Sequence, residues 1–224
     1  IHQAALTSVT DSFKDPQKYH DVNVIGTKNI FEIAQKEKIR TVYASSASVY
    51  GDVKKIPIKE SEKREPINPY GKTKLDCEIL AEQYNNMNSS IIGLRYFNVY
   101  GIGQTSSYAG VITKFLENKK IKKPLIINGK GNQIRDFIHV EDIAKANLVA
   151  VENKTSKGFF NIGTGIKTSI NELANIMIDN SNYESNIIHG PQLNGDIEES
   201  LADMTHTKKS LQWNHEIDLK IGLK

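Results

Sequence analysis

Short runs of β-forming residues alternate along this chain with stretches of helical spacing and helix length, and that alternation limits the fold more than any other feature. Thr41-Val42-Tyr43-Ala44-Ser45-Ser46 reads as a short strand, and residues 90–97, with Ile91, Ile92 and Leu94, read as the next, ending at Asn98. Between them lie a polar loop over 56–66 and a helix from just before Tyr70 to about Asn86. Upstream, Ile1-His2-Gln3-Ala4-Ala5 reads as the end of a buried strand, and 7–15 as a short helix stopped by Pro16. Over 19–38 the apolar positions Val22, Ile25, Ile30, Phe31, Ile33 and Ala34 recur at helical spacing. Crossovers of helix length predict right-handed βαβ units and an α/β fold with a doubly wound parallel sheet.

After Gly103 the pattern changes. Residues 109–118 read as a helix, Leu125-Ile126-Ile127 as a short strand and 129–132 as a turn. Asp136-Phe137-Ile138-His139-Val140 leads into a helix over 141–152, and Phe159-Phe160-Asn161-Ile162 is a further strand followed by Gly163-Thr164-Gly165. Ser169 with Glu172 forms a capping box for a helix through Ile178. The tail over 182–224 reads as more polar and irregular. A second, smaller lobe interleaved with the sheet is expected. Residues 1–102, with 133–165 partly returning, would form one domain, and 103–132 with 166–224 the other.

Tyr70 and Lys74 are four apart, so on a helix they share one face. Asn68 suits the N-cap and Pro69 the first helical position, which puts Tyr70 in the first turn. The Lys74 ammonium and the positive helix end both favour phenolate, so the Tyr70 pKa is expected to fall, as a general base near neutral pH requires. Ser46, at the end of the preceding strand, could share the substrate proton. A YxxxK pair alone more often means a packed tyrosine and a solvated lysine; the strand and the serines before it turn that reading around.

The net charge of the 224 residues is only +3, with 25% charged, which gives no sign of a nucleic-acid or membrane partner. Lys119-Lys120 and Lys122-Lys123 read as solvated helix ends or turns. The six histidines lack ligand spacing, and no metal site is expected. No signal peptide and no apolar run of membrane-span length is read. The single cysteine, Cys77, lies between Asp76 and Glu78, which discourages a thiolate; it reads as packing, and a reducing compartment, the cytoplasm, is expected.

Seven stretches, in this order, carry a resemblance: His2-Gln3-Ala4-Ala5; Asn23-Val24-Ile25-Gly26-Thr27; Ser45-Ser46-Ala47-Ser48-Val49-Tyr50-Gly51; Tyr70 with Lys74; Arg95-Tyr96-Phe97-Asn98-Val99-Tyr100-Gly101; Arg135-Asp136-Phe137-Ile138-His139-Val140; and Asn161-Ile162-Gly163-Thr164-Gly165. Together they resemble the NAD-dependent epimerase/dehydratase family of extended short-chain dehydrogenases/reductases, and within it the UDP-sugar 4-epimerases. The resemblance implies a Rossmann-like domain and an NAD-dependent C4 epimerisation of a UDP-hexose or UDP-N-acetylhexosamine through a 4-keto sugar. It implies that Tyr70 removes the 4-hydroxyl proton, that Lys74 holds the nicotinamide ribose, and that Ser46 hydrogen-bonds the 4-hydroxyl, supported by Ser45 and Ser48. Ala4, Ala5, Thr7, Asn23, Ser45, Tyr96 and Phe97 would line the cofactor. Ser8, Asn98 and Arg135 would hold the nucleotide-sugar, Arg135 on the diphosphate; a surface ion pair of Arg135 with Asp136 is the other reading. For His2 a structural role and a ligand role stand level, and Asp142 reads as a helix-start residue either way.

The related 4,6-dehydratases carry Thr-Asp-Glu where this chain has Ser46-Ala47-Ser48, and Ala47 has no proton to give, which disfavours dehydration. A reductase or decarboxylase of the same superfamily, and an inactive nucleotide-sugar-binding protein, are the remaining alternatives. The last has no use for an intact Ser46, Tyr70 and Lys74. Ser200 stands where the family has its gatekeeper, and a small residue there implies room for an N-acetyl group, so UDP-N-acetylglucosamine or its galacto epimer is expected to be accepted, with UDP-glucose the other candidate. Two departures stand out. Leu193 occupies a position where the family usually has arginine, and no G-x-x-G-x-x-G turn or following acidic residue is found. The segment is expected to belong to a longer protein, to bind NAD weakly by itself, and to leave a sheet edge unpaired. The helices at 20–37 and 70–86 resemble those that pair in family homodimers.

Overall fold

In the computed structural model, residues 1–104, 110–179, 186–192 and 197–224 are described. The chain opens with α1 (Val9–Lys14) and α2 (Pro16–His20), passes through a wide π-type turn (Asp21–Ile25) and continues as α3 (Gly26–Lys36). Strand β1 (Thr41–Ser46) follows, then a 3-10 turn (Ala47–Tyr50), α4 (Pro69–Asn86), β2 (Ile91–Tyr96) and β3 (Asn98–Tyr100). Next come α5 (Val111–Lys120), β4 (Leu125–Asn128), β5 (Ile134–Arg135), β6 (Phe137–His139), α6 (Val140–Glu152) and β7 (Gly158–Ile162). Strand β8 (Thr168–Ser169), α7 (Ile170–Asp179), β9 (Ile187–Gly190), α8 (Thr205–Leu211) and α9 (Leu219–Gly222) complete the chain.

Strand β2 is central and hydrogen-bonds β1 on one side and β7 on the other, both parallel, as the helix-length crossovers require. The register aligns Ser46 with Tyr96, and Tyr96 with Ile162, so three strands end together. The outer edge of β1 takes a parallel bridge from His2, whose N–H reaches the Val42 carbonyl at 2.8 Å. Successive strand residues face opposite layers. Tyr43 and Ile91 pack with Phe31, Cys77, Ala81 and Tyr84 under α3 and α4, while Val42, Ile92 and Leu94 pack with Ile143, Ala146, Ala150 and Phe160 under α6. Helices thus cover both faces, and nearly continuous apolar strands are what such a sheet needs. Gly93 interrupts β2 because a Cβ there would sit 2.9 Å from the hydroxyl of Tyr43, its partner in the register.

A separate apolar cluster joins α5, β4 and α7 through Phe115, Leu125, Ile127, Leu173 and Met177. Ser169 and Glu172 form the expected capping box, each accepting the other's backbone N–H at 3.1 and 2.7 Å.

Three expectations change. The 19–38 segment is not one regular α-helix: the π-type turn adds a residue, so Phe31 and Ala34 reach the core while Val22, Ile25 and Ile33 stay exposed. Helix α5 starts at Val111, and Ala109 lies outside the described residues. The tail is not irregular throughout: it contributes β9 and α8, and Leu211 and Trp213 enter the main core. Its anchors are pairings with distant segments, as where Ile58 bridges Ala202, and no local periodicity announces them.

Candidate active site

Strand β1 delivers Ser46 to the sheet's carboxyl-end edge, where ligands bind in open parallel sheets. The Ser46 side chain accepts the Ser48 N–H at 3.2 Å, which turns the chain sharply into the 3-10 segment, and the Ser48 hydroxyl donates to Ser46 Oγ at 2.9 Å. Helix α4 starts beside this turn. Asn68 Oδ1 accepts the Gly71 N–H at 2.8 Å, with Pro69 at the first position, as expected. Gly71 permits the close approach: a Cβ there would lie 2.7 Å from the Ser48 carbonyl oxygen. The helix end is thereby brought onto the serine turn, and Tyr70 and Ser46 line the same cleft, with the Ser46 hydroxyl lowering the phenol pKa.

One turn on, the Lys74 ammonium lies 5.8 Å from the Tyr70 ring centroid and donates to the Ala44 carbonyl at 2.8 Å. Lys74 is buried, and desolvation pulls its pKa below the ordinary lysine value. The expected fall of the Tyr70 pKa is not what the structure gives. Burial pushes the phenol above its ordinary value, and the Ser46 hydrogen bond pulls it part of the way back. Lys74 lies over the ring rather than beside the phenol oxygen, so its charge does not overcome the loss of water.

A cleft of about 400 Å³ opens over these groups. Ser46, Ala47, Ser48 and Tyr70 form its floor, with Tyr96, Phe97, Asn98, Arg135 and Ser200 also lining it. A recess of about 250 Å³ shares Asn98 and Arg135 with it and has apolar walls from Val111, Phe115, Ile126 and Ile170. Arg135 donates to the Ile134 carbonyl at 2.8 Å, while the buried Asp136 carboxylate turns inward to the backbone N–H groups of Thr164, Gly165 and Ala202. Among the described lining residues of the cleft there is no carboxylate.

Several residues named from the sequence sit elsewhere. Ser45 is buried on the opposite face from Ser46 and donates to Glu78 at 2.6 Å. Asn23 is buried, with its amide taken up by Leu6 and Thr73. Ser8 caps α1 through the Asp11 N–H, and Ala4 and Thr7 are exposed, with Ala5 half-buried. His2 bonds Thr27 at 3.0 Å, and burial followed by the nearby Lys74 charge lowers its pKa. Leu193 lies outside the described residues. Sequence reasoning missed Val9, Thr10, Ile58 and Ile197 as cleft walls, because no motif marks them, and read Asn68 only as a helix cap. It also missed the buried Glu78, which takes a bidentate pair from Arg95 at 2.8 Å through each oxygen.

The buried Lys74 carries the donors that a cofactor ribose needs. An ammonium carries three donors, and one goes to Ala44; two remain for hydroxyls of a sugar beside the Tyr70 ring. A desolvated ammonium with donors to spare fits a ribose.

A model of the NAD dependent epimerase/dehydratase family matches residues 1–163. A putative UDP-glucose 4-epimerase of Methanocaldococcus jannaschii is 40% identical over 228 residues, covering 100% of this chain and 74% of the relative. A UDP-N-acetylglucosamine 4-epimerase from Methanobrevibacter ruminantium M1, solved with UDP-N-acetylmuramic acid, superposes with a TM-score of 0.94 at 32% identity, over 99% of this chain and 74% of that one. A UDP-glucose 4-epimerase from Thermotoga maritima, solved with UDP-glucose, also gives 0.94 at 34% identity, over 99% and 73%.

Proposed function

The chain belongs to the NAD dependent epimerase/dehydratase family, and on that premise we propose that it interconverts the C4 epimers of a UDP-sugar at the Ser46–Tyr70–Lys74 cleft. The observation that carries this reading is a cleft lined by a hydrogen-bonded serine pair and the Tyr70 phenol, with no carboxylate among its described lining. Elimination of water needs an acid and a base beside the sugar; oxidation and re-reduction at C4 needs one group that takes a proton and gives it back.

NAD, when bound, supplies the hydride acceptor and returns the hydride. Lys74 would hold its ribose. Tyr70 takes the proton from the 4-hydroxyl as that carbon is oxidised and gives it back on reduction. Ser46 hydrogen-bonds the same hydroxyl, and Ser48 supports Ser46 from behind. Asn98 and Arg135, shared by cleft and recess, hold the diphosphate, which places the nucleotide base in the apolar recess. Ser200 on the cleft wall leaves room for an N-acetyl group, so UDP-N-acetylglucosamine is the substrate assigned, ahead of UDP-glucose.

The same family kinship supports a homodimer formed by α3 and α4, the two domains outlined from the sequence, and a cytoplasmic enzyme. Two apolar clusters support the domains, with Ala202, Met204, Leu211 and Trp213 packing back into the first. The buried lone Cys77 suits the cytoplasm, and cell fractionation tests it. Among the described residues no helix is long and apolar enough to cross a membrane.

Tyr70→Phe tests the site. Turnover should fall by about 10²–10⁴, the range for losing a general base, with far-ultraviolet circular dichroism unchanged. The parent's activity should rise with pH as the phenol ionises. A Phe variant with parental turnover would remove Tyr70 from the mechanism.

A further inference from the structure

The start of α4 leaves one bond that its own cap does not make. The first N–H groups of a helix have no partner within it. Pro69 has none to satisfy, and Asn68 takes the Gly71 N–H with its side chain and the Lys72 N–H with its carbonyl. The remaining N–H is that of Tyr70. It donates to Ser12 Oγ on α1 at 3.1 Å, and the Ser12 hydroxyl donates in turn to the Val9 carbonyl at 2.6 Å. Ser12 is fully buried. Val9 and Thr10 form one wall of the cleft and Tyr70 another, so a single hydroxyl ties the two together.

We propose that Ser12 is a positioning residue for the reaction: it sets the phenol of Tyr70 against Ser46 by holding the Tyr70 backbone N–H, and fixes the cleft wall at Val9 and Thr10. This rests on the role of Tyr70 assigned above. Without the hydroxyl, the part-buried Tyr70 N–H loses its partner, so the first turn of α4 shifts to find another. Tyr70 sits in that turn, and displacement of a reacting group by about 1 Å can cost about 100-fold in rate. The substrate's other contacts, Asn98, Arg135 and Ser200, lie on other elements and stay in place.

The test compares Ser12→Ala and Ser12→Thr with the parent, all loaded with NAD, across pH. UDP-N-acetylglucosamine and UDP-glucose serve as the probes. In Ser12→Ala, kcat should fall about 10- to 100-fold with KM changed by less than about threefold, as expected when transition-state geometry is lost more than binding. The acid limb of the pH profile should move to higher pH as the phenol moves away from Ser46, which lowers its pKa. The Tyr70 amide should exchange its hydrogen faster, and Ser12→Thr, which keeps the hydroxyl, should recover most of the rate. Parental kcat and pH profile in Ser12→Ala would overturn the proposal, whatever happens to its melting temperature. If Ser12→Ala does not fold, Ser12→Cys is read instead, because its thiol fills the site but accepts an N–H poorly. A parent that converts neither nucleotide-sugar counts against the reaction, and amide exchange at Tyr70 then decides the Ser12 contact alone.

Discussion

Tyr50 is almost wholly buried, takes a hydrogen bond from Arg95 at 2.7 Å and donates its proton to Asn161 at 2.6 Å. Burial pushes its pKa from 10.0 up to about 12, against the pull of the Arg95 charge. The folded value lies above the unfolded one, so the stability it contributes is whole below about pH 10 and is lost as pH rises through about 12. A shift of this size corresponds to about 2–3 kcal/mol. Denaturant unfolding in alkaline buffers should show that loss, and Tyr50→Phe should show a smaller alkaline loss from a lower neutral-pH starting point. An equal loss in the variant would assign the effect to other groups. The same competition between burial and charge explains why Tyr70 was legible as a residue while the direction of its pKa was not. Spacing in sequence tells how near Lys74 comes, but not how much water the fold removes. Ser45 was misplaced for a simpler reason. Neighbours on a strand face opposite sides, so Ser46 in the cleft already sends Ser45 to Glu78.

The proposed dimer would use the outer faces of the helices. Val22, Ile25 and Ile33, with Ile79 on α4, are large apolar side chains left exposed on neighbouring elements. Sedimentation should give twice the chain mass for the parent, and Ile33→Glu combined with Ile79→Glu should give a monomer; a monomeric parent would remove the dimer. Strands β1 and β2 and the caps of α4 and α7 were legible because each is encoded locally, by β-branched runs or by Asn68-Pro69 and Ser169 with Glu172. Helix α8 was not. Six of its seven residues are polar, and what fixes it is Thr207, whose hydroxyl bonds the Asn161 carbonyl on β7 at 2.7 Å, with Leu211 in the core.

Across the whole molecule, the alternation of strands and helices foretold the layers and the parallel sheet. It could not foretell that β7 lies beside β2, since that pairing joins segments separated by α5, α6 and four short strands. The cleft depends on that pairing and on the tail's return, which brings Ser200 to Arg135 and Asn98 from distant parts of the sequence. Function was legible from motifs that meet at the carboxyl ends of β1 and β2; the walls contributed by Val9, Thr10 and Ile197 emerge only in three dimensions.

Proton NMR of UDP-N-acetylglucosamine incubated with the full-length enzyme and saturating NAD decides whether C4 epimerisation occurs. A growing anomeric signal of the galacto epimer is expected, absent with Tyr70→Phe. Conversion of UDP-glucose alone would keep C4 epimerisation and overturn the reading of Ser200; unchanged spectra for both nucleotide-sugars would contradict the account.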